Sequence, residues 1–308
     1  MKPHRTNGKT VRRCATIMLS GAALLVGCDR ARERAMPTAP PLAGGPRMSA
    51  LDVSLDPPCV PLFVDGTWTL LADCTTYTTI FIPDGNTLDG NGHTITAMDP
   101  PGGFQGPVVR NQPGGTMANV INLGLTSSLA STFGCMGGDN RLRGILFDGA
   151  SGNVTNNTVI TIKRGLSSGC QEGNGIEIRN FDGTGTKAVL IDHNVVRDYQ
   201  KNGITANGDV AATITNNIIQ GAGRVDYIAQ NGIQFGVGAT GQVSGNSITD
   251  NFYTGCSHQD AAKTGCIPYV AAGLLLFDID PSLIRRSNNT FINDQFNVLL
   301  VTHQSLDS

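Results

Sequence analysis

Three copies of Asn-Gly-Ile, at Asn174-Gly175-Ile176, Asn202-Gly203-Ile204 and Asn231-Gly232-Ile233, alternate along the chain with four copies of an apolar-x-x-Asn-x-apolar pattern. The second pattern reads Val154/Asn157/Val159, Ile191/Asn194/Val196, Ile214/Asn217/Ile219 and Val243/Asn246/Ile248. A strand-and-turn unit this short, recurring at a period of roughly 20 to 30 residues, cannot bury its apolar face alone and must stack on its neighbours. The repeat therefore predicts an all-β solenoid.

The spacing within each repeat locates its variable part. From each Asn-Gly-Ile isoleucine to the next apolar-x-x-Asn start there are 15, 10 and 10 residues, and Arg143-Gly144-Ile145 leads to Val154 in nine. Gly273-Leu274 leads to Ile284 in ten. The return segments vary more: 17 residues from Val159 to Ile176, 8 from Val196 to Ile204, 14 from Ile219 to Ile233 and 26 from Ile248 to Leu274. Insertions thus collect at one corner of the coil, and in a solenoid such a face commonly carries binding. Asn157, Asn194, Asn217 and Asn246 are expected to point inward as a ladder of amides that satisfy turn backbone and one another. The Asn and Gly before each isoleucine are expected to form bends with positive φ.

Thr79-Ile80-Phe81-Ile82-Pro83-Asp84-Gly85 and Thr87-Leu88-Asp89-Gly90-Asn91-Gly92-His93-Thr94-Ile95 supply earlier short strands and tight turns. Together with the Asn-Gly-Ile rungs, they resemble the coils of right-handed parallel β-helix proteins of the pectate-lyase-like superfamily. That superfamily includes polysaccharide lyases, polygalacturonases and alginate epimerases, besides many repeat proteins of no assigned activity. The resemblance spans about Leu51 to Val301 and implies a single-stranded right-handed parallel β-helix with corner insertions. It implies no particular reaction, because one fold carries many activities.

Three segments divide the chain. Residues 1–27 read as a signal peptide, with Lys2, Arg5, Lys9, Arg12 and Arg13 ahead of an apolar run from Ala15 to Gly27 that is too short to span a bilayer. Leu25-Val26-Gly27-Cys28 resembles a bacterial lipobox, which implies lipidation at Cys28 and a cell-envelope location anchored to a bacterial membrane. Residues 28–50, rich in Ala, Pro, Arg and Gly, read as a flexible tether. The domain is expected over 51–308. The first 50 residues hold nine of the 22 basic and two of the 24 acidic residues, leaving the domain a net charge of about −9. That balance argues against a nucleic-acid partner.

Six cysteines remain beyond Cys14 and Cys28, an even number that suits three disulfides in an exported chain. The rung alignment pairs Cys135 with Cys170 and Cys256 with Cys266, leaving Cys59 with Cys74. Cysteines and histidines fall in no ligand cluster, so neither a metal nor a cofactor is expected.

Four tyrosines, Tyr199, Tyr227, Tyr253 and Tyr269, fall at the variable corner. Arg197-Asp198-Tyr199-Gln200-Lys201 and Arg224-Val225-Asp226-Tyr227-Ile228-Ala229-Gln230 each place Asp-Tyr ahead of Asn-Gly-Ile. Stacked coils are expected to bring these pairs to about 4.8 Å of each other. The ligand surface so predicted comprises Tyr199, Tyr227, Tyr253, Asp198, Asp226, Arg197, Lys201, Arg224 and Gln230. Aromatic faces stack on sugar rings while charged and amide groups orient hydroxyls, so a polysaccharide or envelope glycan suits it.

Other functional readings stay open. A lyase or glycoside hydrolase could act at the same corner through Asp198, Asp226 and Arg224, or the tyrosines could cap a purely structural solenoid. Polygalacturonase motifs are absent from the chain. Ile191-Asp192-His193-Asn194 resembles a pectate-lyase segment but lacks its Trp. Glu177, Arg179, Thr205, Asn207 and Gln234 alternate with inward residues and read as a solvated outer stripe. The Val298–Val301 strand could form an exposed edge for end-to-end self-association.

Overall fold

The computed structural model describes residues 58–130, 133–165, 169–256, 264 and 269–302. The signal segment, Cys28, the tether and Cys266 lie outside the described residues. Among those described, 25 strands form three sheets. Sheet I, of eight strands, contains the Asn-Gly-Ile segments Asn174–Asn180, Asn202–Gly208 and Asn231–Gly236. Sheet II has nine strands, among them Ser151–Thr155, Lys187–Asp192 and Val210–Thr215. Sheet III has eight, including Thr158–Ile160, Val195–Arg197 and Ile218–Val225. The chain visits I, II and III in turn and then pairs each strand in parallel with its equivalent one coil on. An antiparallel strand, Leu62–Val64, covers the first edge of sheet II. At the other end Val298–Val301 pairs on one side with Ala272–Phe277 and is the outermost strand of sheet I.

Register follows the repeat. Ile145, Ile176, Ile204, Ile233 and Leu274 stack in one fully buried column, and Val154, Ile191, Ile214 and Val243 stack in another. Each such side chain contributes about 1.5 to 3 kcal/mol by leaving water, but only once neighbouring coils cover it. The asparagine ladder forms as expected. Asn157 Nδ2 donates to Asn194 Oδ1 at 2.9 Å, Asn194 to Asn217 at 3.0 Å and Asn217 to Asn246 at 2.9 Å. Asn289 extends the stack, accepting from Asn246 at 2.9 Å. Its coil escapes the sequence pattern because Arg286 pairs with Val243, where the pattern wants an apolar residue, while Ile284 pairs with Gly241 two residues earlier.

The Asn-Gly-Ile glycines correct the expectation of positive φ. Neither Gly175, Gly203 nor Gly232, nor the asparagine before each, has a left-handed backbone; all six lie inside strands. What excludes a side chain is space. A Cβ on Gly203 would come within 2.6 Å of the Gly232 carbonyl oxygen and within 2.6 Å of Ile219 Cγ2. Gly175 and Gly232 face Val196 and Ile248 in the same way. Sheet I therefore closes onto the ladder column of sheet III through backbone alone. Left-handed residues occur instead where sheet II turns into sheet III, at Asn122, Asn156, His193 and Asn216.

Two disulfides fasten the first half. Cys59 bonds Cys74 near the first coil, and Cys135 bonds Cys170 between the corner segments of successive coils. Cys256 is disulfide-bonded as well; its expected partner, Cys266, lies outside the described residues.

Candidate functional site

The variable corner joins sheet III to sheet I, and the structure divides its predicted residues between core and surface. Tyr199 is not a surface residue. It is 1 % exposed within the hydrophobic core, and its hydroxyl donates to Asn251 Oδ1. Burial, with the Asp294 charge behind it, pushes the phenol well above its ordinary pKa. Gln230 is also buried, donating to the Tyr199 carbonyl at 2.6 Å and accepting from Ala222 N at 2.8 Å. It braces the bend. Both leave the predicted ligand surface because the short Arg197-to-Asn202 return lets the chain tuck Tyr199 between the sheets.

Tyr227, Tyr253, Asp198 and Asp226 remain at the surface together. Tyr227 is half-buried, and burial followed by the charges of Asp198 and Asp226 raises its pKa. Tyr253 is raised by burial and then by Tyr269 and Asp226, so the Asp226 charge acts on both phenols. The rings that meet are Tyr253 and Tyr269, with centroids 6.4 Å apart and planes inclined at 68°; Tyr269 is half exposed. Arg224 lies 3.8 Å over the Phe252 ring, a cation–π contact that spacing alone does not reveal. Arg197 is exposed on sheet III. Asp198 accepts from Lys163 Nζ at 2.7 Å and from Thr161 Oγ1 at 3.1 Å. A ladder of Tyr199 over Tyr227 does not form.

Lys201 belongs to a different face of the same corner, a cleft of about 160 Å³ on the outer side of sheet I. Its ammonium donates to the Ala229 carbonyl at 2.7 Å, and burial lowers its pKa to about 8. Arg143 and Glu177 form an ion pair at 2.7 Å in the cleft wall, with side chains only 4 % and 6 % exposed. Asn174 donates to the same carboxylate at 2.6 Å. Glu172 accepts from Leu142 N at 2.8 Å and pairs with Arg164 at 3.3 Å, tying the preceding corner segment down. The outer stripe is consequently not the solvated face expected of it: Glu177 and Thr205 are buried. Charge pairing and the corner segments cover them. Arg143 had a legible signal, since it occupies the register position of Asn174 in its own coil, where the three Asn-Gly-Ile coils put a neutral amide.

Asp192 and the exposed His193 form a pair at 2.5 Å in a left-handed turn. Asp280 accepts from Ser282 N at 2.9 Å and serves as a turn acceptor. No group of three potential metal ligands occurs among the described residues.

Residues 143–306, slightly more than half the chain, match the family model described as the right-handed β-helix region. No curated protein and no solved structure matches the chain significantly. The stacked parallel sheets, the ladder register and this match agree, and the chain belongs to the right-handed β-helix family.

Proposed function

We propose that this protein is a cell-envelope lipoprotein, held to a bacterial membrane through Cys28, whose β-helix binds a polysaccharide or another envelope component at its variable corner. The observation that carries the reading is the surface cluster of Tyr227, Tyr253 and Tyr269 around Asp226, with Arg224 stacked on Phe252 beside it. Partly exposed phenol rings offer flat apolar faces with polar tips, and the flanking carboxylates accept from hydroxyls, a combination that suits a sugar chain. Tyr199 and Gln230 act behind this surface by holding the bend. A polysaccharide array probed with the full chain and with Tyr227→Ala and Tyr253→Ala tests the assignment.

A carbohydrate-active enzyme is the second reading, and Lys201 is what favours it. An amine with a pKa of about 8 in a cleft can act near neutral pH as a proton acceptor. Release of new reducing or unsaturated ends from a bound polysaccharide distinguishes this reading from binding alone.

A further inference from the structure

A depression of about 610 Å³ lies away from the variable corner. It is an open groove where sheet II turns into sheet III, crossing three successive coils along the helix axis, the first of them one coil on from the Thr67–Thr69 and Cys74–Thr76 strands. Its shape has a local cause. Strand register aligns Asp89 with Ile121 and Thr155, and Thr94 with Gly124 and Thr158. The first of these three thus takes five residues from Asp89 to Thr94 where the next takes three from Ile121 to Gly124, and Asn91-Gly92, in the bulge this surplus makes, line the groove. Gly124 makes the notch in the floor. A Cβ there would stand 2.4 Å from Thr94 Oγ1, so the strand start keeps no side chain between two threonines.

The lining is free of charge. It presents the amides of Asn91, Asn122 and Asn156, the hydroxyl-bearing Thr94 and Thr158, and an apolar edge at Ile160, which is 37 % exposed. The Asn122 amide donates to Asp89 at 3.2 Å, while the Asn156 side chain makes no hydrogen bond among the described residues. Amides and hydroxyls both donate and accept, as sugar hydroxyls do, whereas an anionic ligand would meet no counter-charge here and would face the Asp89 and Asp73 carboxylates bonded to the lining. The left-handed backbone at Asn91, Asn122 and Asn156 explains why short polar residues stand there, but not the bulge, the notch or their alignment into one trough.

We propose that this groove is a second binding site, separate from the variable corner, for an uncharged oligosaccharide lying parallel to the helix axis. Asn122 and Asn156 lie one coil apart and present amides at the coil pitch of about 4.8 Å. The ligand is therefore a polymer of hydroxyl-rich units rather than a single compact molecule.

Titration calorimetry of the full chain with neutral β-linked glucose and mannose hexasaccharides, and with a hexagalacturonate, tests this. Asn156→Gly and Asn122→Gly remove an amide while keeping a residue at ease with positive φ. Each is expected to weaken the neutral hexasaccharide roughly fivefold, the scale of one lost hydrogen bond. Thr158→Glu, at an exposed strand position, puts a carboxylate in the trough and is expected to abolish it, which keeps the test valid should a glycine variant fold poorly. Neutral probes that fail to bind at millimolar concentration, or that bind Asn156→Gly and Thr158→Glu as tightly as wild type, overturn the proposal. So does a neutral probe whose binding is lost in Tyr253→Ala, since that places it at the corner.

Discussion

The Tyr199 hydroxyl donates to Asn251 Oδ1, and Asn251 Nδ2 in turn donates to Asp294 Oδ1 at 2.8 Å, a buried polar chain that runs from the middle coils to the last one. The relationship accounts for Tyr199's place in the core rather than on the surface. A buried phenol needs a partner for its hydroxyl, and Asn251 supplies one. Tyr199→Phe is expected to cost about 1 to 2 kcal/mol by leaving Asn251 Oδ1 short of its donor. Tyr199→Ala should cost about 3 to 5 kcal/mol by opening a cavity as well. Denaturant unfolding gives both values, and a Tyr199→Phe variant as stable as wild type would show that the hydroxyl has no structural part.

Asp294 ends this chain, and burial raises its pKa to about 6. An unfolded Asp titrates near 3.9. Between about pH 4 and 6 the native state thus holds a proton that the unfolded state has released, so this group lowers stability as pH rises through that window. Asp294→Asn keeps an acceptor oxygen for Asn251 and removes the charge. Melting temperature should rise for the variant at pH 7.5 and differ little from wild type at pH 4; the opposite pattern would contradict the assignment.

Gly203 tests the close approach of the sheets. Adding a methyl forces it against the Gly232 carbonyl oxygen and Ile219 Cγ2, and Gly203→Ala should destabilise by roughly 1 to 3 kcal/mol, the usual cost of overpacking. Relief of a bend with positive φ plays no part, so Gly203→Asn, tolerant of such bends, should fare no better than Ala. A milder effect from Asn than from Ala would restore the bend as the explanation.

The repeat was legible wherever one coil resembled the next. Isoleucine columns, the amide ladder and the location of the variable corner all follow from spacing, because a solenoid converts sequence period directly into register. The direction in which Tyr199 points was not legible. Its neighbours Asp198 and Lys201 look like surface residues, and only the tight four-residue return between Arg197 and Asn202, together with a partner 52 positions away, turns the ring inward. Arg143 stands out in its column, but its pairing with Glu177 was hidden, since 34 residues separate two charges that parallel stacking brings to 2.7 Å. The groove at the other corner depends on a two-residue surplus in a single coil, which an average over repeats conceals.

Lipidation is tested independently of ligand binding. Cys28→Ala should abolish incorporation of labelled fatty acid and move the protein out of the detergent phase, because one residue carries the whole anchor. Normal maturation with retained membrane association would show that Cys28 is not acylated.

The central claim, a glycan surface at the variable corner, is tested most directly by binding of the full chain and its Tyr253→Ala, Tyr227→Ala and Tyr199→Phe variants to a polysaccharide array, with each variant's fold checked by its melting curve. The two surface variants should each weaken binding about fivefold or more, on the scale of a lost aromatic contact, with a smaller change in melting temperature than Tyr199→Phe. Tyr199→Phe should lower the melting temperature and leave binding intact. If Tyr227→Ala and Tyr253→Ala bind every glycan as wild type does, the corner is a structural cap and the protein does not act through it.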